Sequence, residues 1–406
     1  MVSVERVSPI NRRARAAVAA LFLTNGALFA NMAPRLPELK SEFALGEASY
    51  GFLVTAWPIG ALIAGLAAGR LIRRFGSALV AVVGTMLTGL ALLGAGNAPS
   101  LALLAGAFLL GGAMDAITDV AQNSHGLLVQ RRYRRSILNS FHAFWSVGAV
   151  LGGLMAAGAM ALKISLSVHF GISFLVFATV ALIALKFCLT DRTEKTGAEE
   201  VLAKQELTGA PESVAKRRNH TAWVMTALVL ISTAGVMVED AGNSWATLYL
   251  ADSLGTPAAF AALGYISLVG AQFIGRILGD GMVDRLGQRL VAQIGALCVV
   301  LGMGLALAFP SVPGSLLGFA AAGFGVATLV PAAMEHADRL PGLSPGTGLS
   351  VVSWLMRLGF LASPPLVGFI AENWGLRAGL LLVPLVGVIV LVCSPVLRAK
   401  EPRQPM

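Results

Sequence analysis

The sequence predicts an all-α integral membrane protein of twelve spanning helices arranged as two six-helix repeats. Three observations carry this. The chain is 56% hydrophobic and only 13% charged, where soluble domains carry roughly 25% charged residues. It contains about twelve apolar stretches of 17 or more residues, each close to the ~20 residues a spanning helix needs. And its two halves repeat each other at an offset of 211 residues.

The apolar stretches fall near 14–33, 48–68, 78–96, 101–129, 138–161 and 168–188, then 221–250, 258–280, 290–309, 313–336, 346–371 and 376–397. Helices are the natural choice in lipid because they satisfy their own backbone. The 46 glycines suit close helix contacts, since small residues let backbones approach. The repeat is clearest where Arg74–Gly84 (RFGSALVAVVG) matches Arg285–Gly295 (RLGQRLVAQIG). The same offset pairs Phe108 with Phe319, Gly112 with Gly323 and Gly148 with Gly359. Parallel repeats in a hydrophobic chain have a use: two helical bundles rock about a site at their interface near the bilayer midplane.

Between the halves, Thr190–Asn219 is the one long polar segment, holding Lys216-Arg217-Arg218 and nine other charged residues. The expected organisation is therefore 1–189 as an N-terminal bundle, 190–219 as a cytoplasmic linker, and 220–406 as a C-terminal bundle. The net charge of +9 reads as the positive-inside rule rather than as nucleic-acid binding. With the N-terminus cytoplasmic, every Lys and Arg falls on the inner side except Arg35, Lys40, Lys163 and Arg377, and Arg357 within a span. Both termini are thus expected inside. The first span follows Arg12, Arg13 and Arg15 and is too long for a signal-peptide core. The three cysteines lie in apolar segments, so neither a disulfide framework nor a metal site is expected.

The sharpest chemistry is in the fourth stretch, GGAMDAITDVAQNSHG. Asp115, Asp119 and Asn123 recur at i, i+4 and i+8, on one face. A charge at mid-bilayer costs about 2.5–3.5 kcal/mol on insertion scales, so this stripe should face a cavity. One of the acids could then take up and release a proton; the plainer reading is a pair of packing acids bonded to polar neighbours. In the fifth stretch His142, Trp145 and Ser146 lie near the inner half, where His142 could be a relay or a satisfied packing histidine. The seventh carries Glu239, Asp240, Asn243 and Trp245, with Glu239 and Asn243 on one face. Asp240 reads as exposed to outer water, and Trp245 either as a ligand-stacking ring or as an interfacial anchor. Tyr265 and Gln272 in the eighth are polar lining candidates, while Arg276 and Asp280 fit the turn that follows. Arg357, in the eleventh, is a guanidinium at depth that must be paired if buried. Its candidates are Asp115, Asp119, Glu239 or an anionic substrate, and it argues for a carboxylate or phosphate on the solute.

No G-x-S-x-G, H-E-x-x-H or G-x-x-x-x-G-K-[ST] arrangement is present, so no enzyme, cofactor or ATP-driven pump is expected.

Twelve spans, a long middle loop and basic turns resemble the major facilitator superfamily. Its signature turn, G-x-x-x-D-R-x-G-x-R/K, is similar to GDGMVDRLGQR here, with Asp284, Arg285, Gly287 and Arg289 in place. The first copy, GRLIRRFGSAL, keeps Arg74 and Gly76 but has Arg73 at the acid's position. The resemblance implies that Arg73, Arg74, Gly76, Asp284, Arg285 and Gly287 serve conformational gating, and Arg276 and Asp280 are expected to belong with that turn. Within the superfamily, D-V-A-Q-N, H-A-F-W-S-V-G, E-D-A-G-N-S-W and the Arg35/Pro37 loop resemble a fucose-permease-like group with uncharacterised bacterial inner-membrane members. That resemblance implies a proton-binding role for Asp119, with Asp115 in support because Ala33 stands near that group's other acid. The resemblance places Asn123 and Glu239 in the substrate site, and the residues themselves add His142, Asn243, Trp245, Tyr265, Gln272 and Arg357 as expected members. The expected function is inner-membrane, proton-coupled symport of a sugar-like or acidic solute by a monomer, with sodium as another possible ion. The alternative is a drug/proton antiporter, for which Gly148–Gly153 (GAVLGG) resembles the G-P-x-L-G-G motif with Ala149 in place of proline.

Overall fold

The computed structural model describes residues 8–133, 137–189, 215–338, 340 and 347–397. The predicted linker over 190–219 lies, up to residue 214, outside them. Twelve helical stretches among the described residues are long and apolar enough to cross a membrane, as the apolar runs predict. In the first half the helices are α1 (Pro9–Met32), α2 (Leu36–Glu42), α3 (Glu47–Phe75), α4 (Ser77–Ala95), α5 (Leu101–Tyr133), α6 (Leu138–Ala161) and α7 (Leu166–Leu185). The second half begins with α8 (Ala215–Leu248), α9 (Ala258–Ala261), α10 (Leu263–Leu286), α11 (Gln288–Ala308) and α12 (Val312–Val326). It ends with α13 (Leu329–Asp338), α14 (Thr347–Leu355), α15 (Arg357–Trp374), α16 (Leu376–Gly379) and α17 (Leu382–Cys393).

Local chemistry explains the boundaries. The Ser165 side chain accepts from Val168 N–H at the start of α7, and Ser311 from Gly314 N–H at the start of α12. The tenth span is split at Ala327–Thr328, where Pro331 can give no amide hydrogen to residue 327. The repeat is a repeat of backbone as well as of letters. Gly76 (φ 83, ψ 148) separates α3 from α4, and Gly287 (φ 83, ψ 155) separates α10 from α11. Each donates back to the carbonyl four residues earlier at 2.8 Å. Only glycine enters that conformation without strain.

The chain divides into two contact units, and the division does not fall between spans. The first unit is Met1–Met32 with Ala56–Ala210; the second is Ala33–Thr55 with Pro211–Met406.

In the first unit α1 packs on α6, α7 and α5, and α4 on α5 and α7. Glycines set the distances. A Cβ on Gly148 would strike the Leu23 carbonyl, one on Gly26 the Trp145 carbonyl, and one on Gly152 the Ala27 carbonyl. The GAVLGG run therefore serves the crossing of α6 and α1. Gly112 meets the Trp57 carbonyl in the same way. His125, fully buried on α5, accepts from the Leu189 N–H at 3.2 Å through Nε2 and meets Ser77 Oγ at 2.8 Å through Nδ1. An accepting Nε2 places the ring proton on Nδ1, so the ring is neutral and donates to Ser77.

In the second unit α8 packs against α15, α17 and α13, and α11 against α12 and α17. Gly323 meets the Leu268 carbonyl, and Leu268 stands 211 residues after Trp57. This is the Gly112 contact of the first unit repeated.

Residues 33–55 also belong to the second unit. Arg35 is 2% exposed and grips Glu38 through two bonds, of 3.0 and 2.6 Å. The Lys40 ammonium lies 3.0 Å from Glu47 and 3.3 Å from Asp252. The Glu372 carboxylate accepts from Ala48 N–H at 3.1 Å, capping the first turn of α3. Tyr50, fully buried, donates its hydroxyl to the Ser244 carbonyl at 2.5 Å and stands edge-on to Trp245, ring centroids 4.8 Å apart.

Candidate functional site

The polar groups of the first unit converge on one amide that the sequence reading did not select. Asn25 of α1 donates from Nδ2 to Asp115 at 2.6 Å, and its Oδ1 accepts from the Trp145 indole at 2.8 Å. Gln122, fully buried, approaches both Asn25 Oδ1 and Asp119 Oδ1 at 3.4 Å. The Trp57 indole is a further donor to Asp115. Asn123 donates to Asp119 Oδ1 at 3.0 Å and to its backbone carbonyl at 2.8 Å.

This arrangement follows from the helical stripe. Residues at i, i+4 and i+8 on α5 share a face, and α1 lies against it with a short polar side chain at Asn25. The two predicted acids differ in setting. Asp115 is partly buried and held by N–H donors, whereas Asp119 is exposed, with carboxamides beside it. Its side chain is thus the more accessible of the two to water and solute. His142 is exposed and edge-on to Phe22 at 5.1 Å. Asn25, Gln122 and Trp57 went unselected because nothing in their spacing marks them. For Asn25 and Gln122 the one signal was an amide inside an apolar run, which is costly in lipid unless it is bonded.

In the second unit, Glu239 of α8 accepts from Gln272 of α10 at 2.7 Å and faces Arg276 at 3.6 Å. Arg276, expected with the gating turn, therefore stands beside an acid of the predicted substrate site, two turns up the helix from that turn. Asp240 is 7% exposed rather than open to outer water, because it lies on the packed face of α8. Its Oδ1 accepts from Ser244 Oγ at 3.5 Å, and its Oδ2 has no hydrogen-bond partner among the described residues. Trp245 has no exposed surface and packs on Tyr50, which removes the interfacial-anchor reading. Tyr265 and Gln272 are buried on α10, and Asn243 is partly buried.

Arg357 departs from expectation. It is exposed, and no hydrogen bond or ion pair reaches it among the described residues, so its candidate protein partners are not engaged. It follows a break at Met356 and opens α15.

Of the expected gating residues, Arg73, Arg74, Asp284 and Arg285 are exposed and Gly76 and Gly287 buried at the helix junctions. Asp284 makes no bond among the described residues; Gln288 instead bridges to Glu335 at 2.7 Å. The Asp280 side chain lies outside the described part of the structure.

The sequence pattern described as Major Facilitator Superfamily matches residues 18–334 and 246–406. An uncharacterized transporter of Sinorhizobium fredii is 30% identical over 383 residues, covering 94% of this chain and 97% of its own. The cis,cis-muconate transport protein of Acinetobacter baylyi is 22% identical, covering 93% of this chain and 92% of its own. Among solved structures, a D-xylose-proton symporter superposes with a TM-score of 0.71 at 16% identity, covering 95% of this chain and 96% of that one.

Proposed function

From the premise that this chain belongs to the major facilitator superfamily, a multi-pass membrane transporter family, we propose that it is a proton-coupled symporter. Its solute is small and polar, sugar-like or an acidic metabolite, and crosses the bacterial inner membrane by alternating access. The supporting observation is the hydrogen-bonded array of Asp115, Asn25, Trp145, Gln122 and Asp119 on α5, α1 and α6. Two carboxyls at depth, one braced by N–H donors and one exposed beside amides, divide the work. Asp115 positions the array, and Asp119 takes up and releases the proton. Asn123, His142, Glu239, Asn243, Trp245, Tyr265, Gln272 and Arg357 contribute the solute-facing groups.

In this reading the two halves, 1–189 and 220–406, rock about the site, joined by 190–219. Arg73, Arg74, Gly76, Asp280, Asp284, Arg285 and Gly287 set the turns that reorganise. The protein works as a monomer with both termini in the cytoplasm. The glycine run that suggested an exporter lies in the packing of α6 on α1, so no geometry favours that alternative. A relative named for cis,cis-muconate transport makes organic acids the first solutes to try.

The test is internal pH in proteoliposomes loaded with a pH dye, as sugars, sugar acids and organic acids are added outside. Symport acidifies the interior with the right solute, and Asp119→Asn abolishes the signal. An unchanged pH response in Asp119→Asn removes the proton from Asp119; alkalinisation makes the protein an antiporter.

A further inference from the structure

Asp240 is a buried acid without a counter-charge. It is 7% exposed, its Oδ2 has no hydrogen-bond partner, and no basic side chain pairs with it among the described residues. Ser244 Oγ approaches Oδ1 only to 3.5 Å, whereas a hydroxyl bonded to an ionised carboxylate closes to about 2.5–2.7 Å. Ser363 Oγ stands beside the carboxyl and directs its proton to the Met237 carbonyl at 3.4 Å. An unpaired carboxylate is costly in such a place, and the group takes up a proton instead. Protonated, Asp240 becomes a donor beside an oxygen, that of Ser363, whose own proton is already committed.

The first turn of α3 supplies its cover. Tyr50 donates to the carbonyl of Ser244, one turn along α8 from Asp240, and stands edge-on to Trp245. A Cβ on Gly51 would strike the carbonyl of Pro364, the neighbour of Ser363, and one on Gly368 would meet the Glu47 carbonyl. Residues 47–51 thus close over the seam of α8 and α15 in which Asp240 lies. Few other titratable groups on the elements packed against α8 reach this point. Glu239, the next residue on α8, is turned to Gln272 and Arg276 of α10, and Tyr265 of α10 lies on the Glu239 side. Arg357 and Glu372 of α15 stand six residues before and nine after Ser363, about 9 and 14 Å along the axis. Glu335 and His336 of α13 and Cys393 of α17 lie at the other end of the unit, beside the start of α11. α12 and α14 carry no titratable residue. In residues 33–55, Arg35 is held by Glu38 and Lys40 by Glu47 and Asp252, while Tyr50 faces Asp240.

We propose that Asp240 is a proton-binding site, and that residues 47–51 close over it only once it has taken a proton. This goes beyond the assignment of Asp119 and does not depend on it. In the closed form the carboxyl is neutral. With Tyr50 and Gly51 withdrawn, water reaches it, and it ionises at neutral pH as a solvated aspartate does. Closure therefore binds one proton, so the closed form gains about tenfold over the open form for each pH unit of acidification. The ion pairs of Lys40 with Glu47 and Asp252 act in the opposite sense, because protonating those acids loosens the closed form.

The test places spin labels at Ser41→Cys and Ser253→Cys, two exposed, uncharged positions near the Lys40–Asp252 pair. It uses the full chain in lipid nanodiscs without solute, with Cys188, Cys298 and Cys393 changed to alanine. The ratio of short- to long-distance populations should rise about tenfold per unit as pH falls from about 8 to about 6. In Asp240→Asn it should change less than about two-fold per unit, and the short distance should persist at the high-pH end. If the amide does not fold, Asp240→Ser, also neutral, should behave alike. Tyr50→Phe, which gives up the bond to Ser244, should move the wild-type curve to lower pH. Three results overturn the proposal: no response to pH in the wild type, opening on acidification, which assigns the response to the Lys40 ion pairs, or a response that survives in both Asp240 variants. Because no solute is present, failure of the symport reading does not alter the outcome.

Discussion

One amide orders the first unit. An indole N–H can only donate, so Trp145 fixes Asn25 Oδ1 toward itself and turns Asn25 Nδ2 toward Asp115. Asn25→Ala leaves a carboxyl and an indole without their partner, and stability should fall by roughly 1–3 kcal/mol, read as Tm of the purified protein. Trp145→Phe removes one neutral bond and should lose about 0.5–1.5 kcal/mol. The two losses should be less than additive in the double variant, because both act through Asn25. Additive losses would mean the bonds are independent. The acid stripe of Asp115, Asp119 and Asn123 was legible in the sequence because helical periodicity puts those residues on one face. Asn25, Gln122 and Trp57 were not, because a bond between residues 90 apart leaves no periodic trace. Asp240 and Trp245 were misread for a related reason: their depth along the span was legible, but which neighbour covers them was not.

Helix junctions and crossings rest on the repeated glycines. Gly76 and Gly287 hold φ of 83°, a region that side chains enter at about 1–3 kcal/mol. Gly76→Ala and Gly287→Ala should each destabilise by that amount, measurable by thermal unfolding in detergent. Gly112→Ala and Gly323→Ala should act as a matched pair, since each would press a methyl on the equivalent carbonyl, of Trp57 or Leu268. The expected loss is about 1–3 kcal/mol for overpacking. A large effect in one half and none in the other would show that the repeat is not mechanically equivalent. The sequence repeat pointed to these positions. The structure adds that the identity of letters is an identity of backbone angle and of contacted carbonyl.

The division into contact units bears on how the protein moves. Residues 33–55 continue helices of the first unit, yet they are fastened to the second through Lys40, Glu47, Tyr50, Asp252 and Glu372. Any state in which the ends of the first two spans leave the C-terminal half must break these bonds. A short bifunctional thiol reagent joining Lys40→Cys to Asp252→Cys should therefore stop transport, and reduction of the link should restore it. Full transport while linked would show that this segment stays with the second unit throughout the cycle. Orientation has its own check. A membrane-impermeant maleimide should label Lys163→Cys and Arg377→Cys in intact cells, and Arg289→Cys only after permeabilisation; the reverse pattern would invert the topology.

The amino-acid sequence alone determined the membrane class, the twelve spans, the two-fold repeat and the acid-bearing face of the fourth span. Each depends on hydrophobic length, period or turn chemistry within a few residues of chain. Tertiary structure alone decided that Asn25 braces Asp115, that Arg276 stands against Glu239, that Arg357 has no partner among the described residues and that residues 33–55 pack with the second unit. Those outcomes depend on pairs as far apart as the 324 residues between Ala48 and Glu372. Side-chain bonding across such distances is set by which helices meet, and local hydrophobic pattern does not encode that choice.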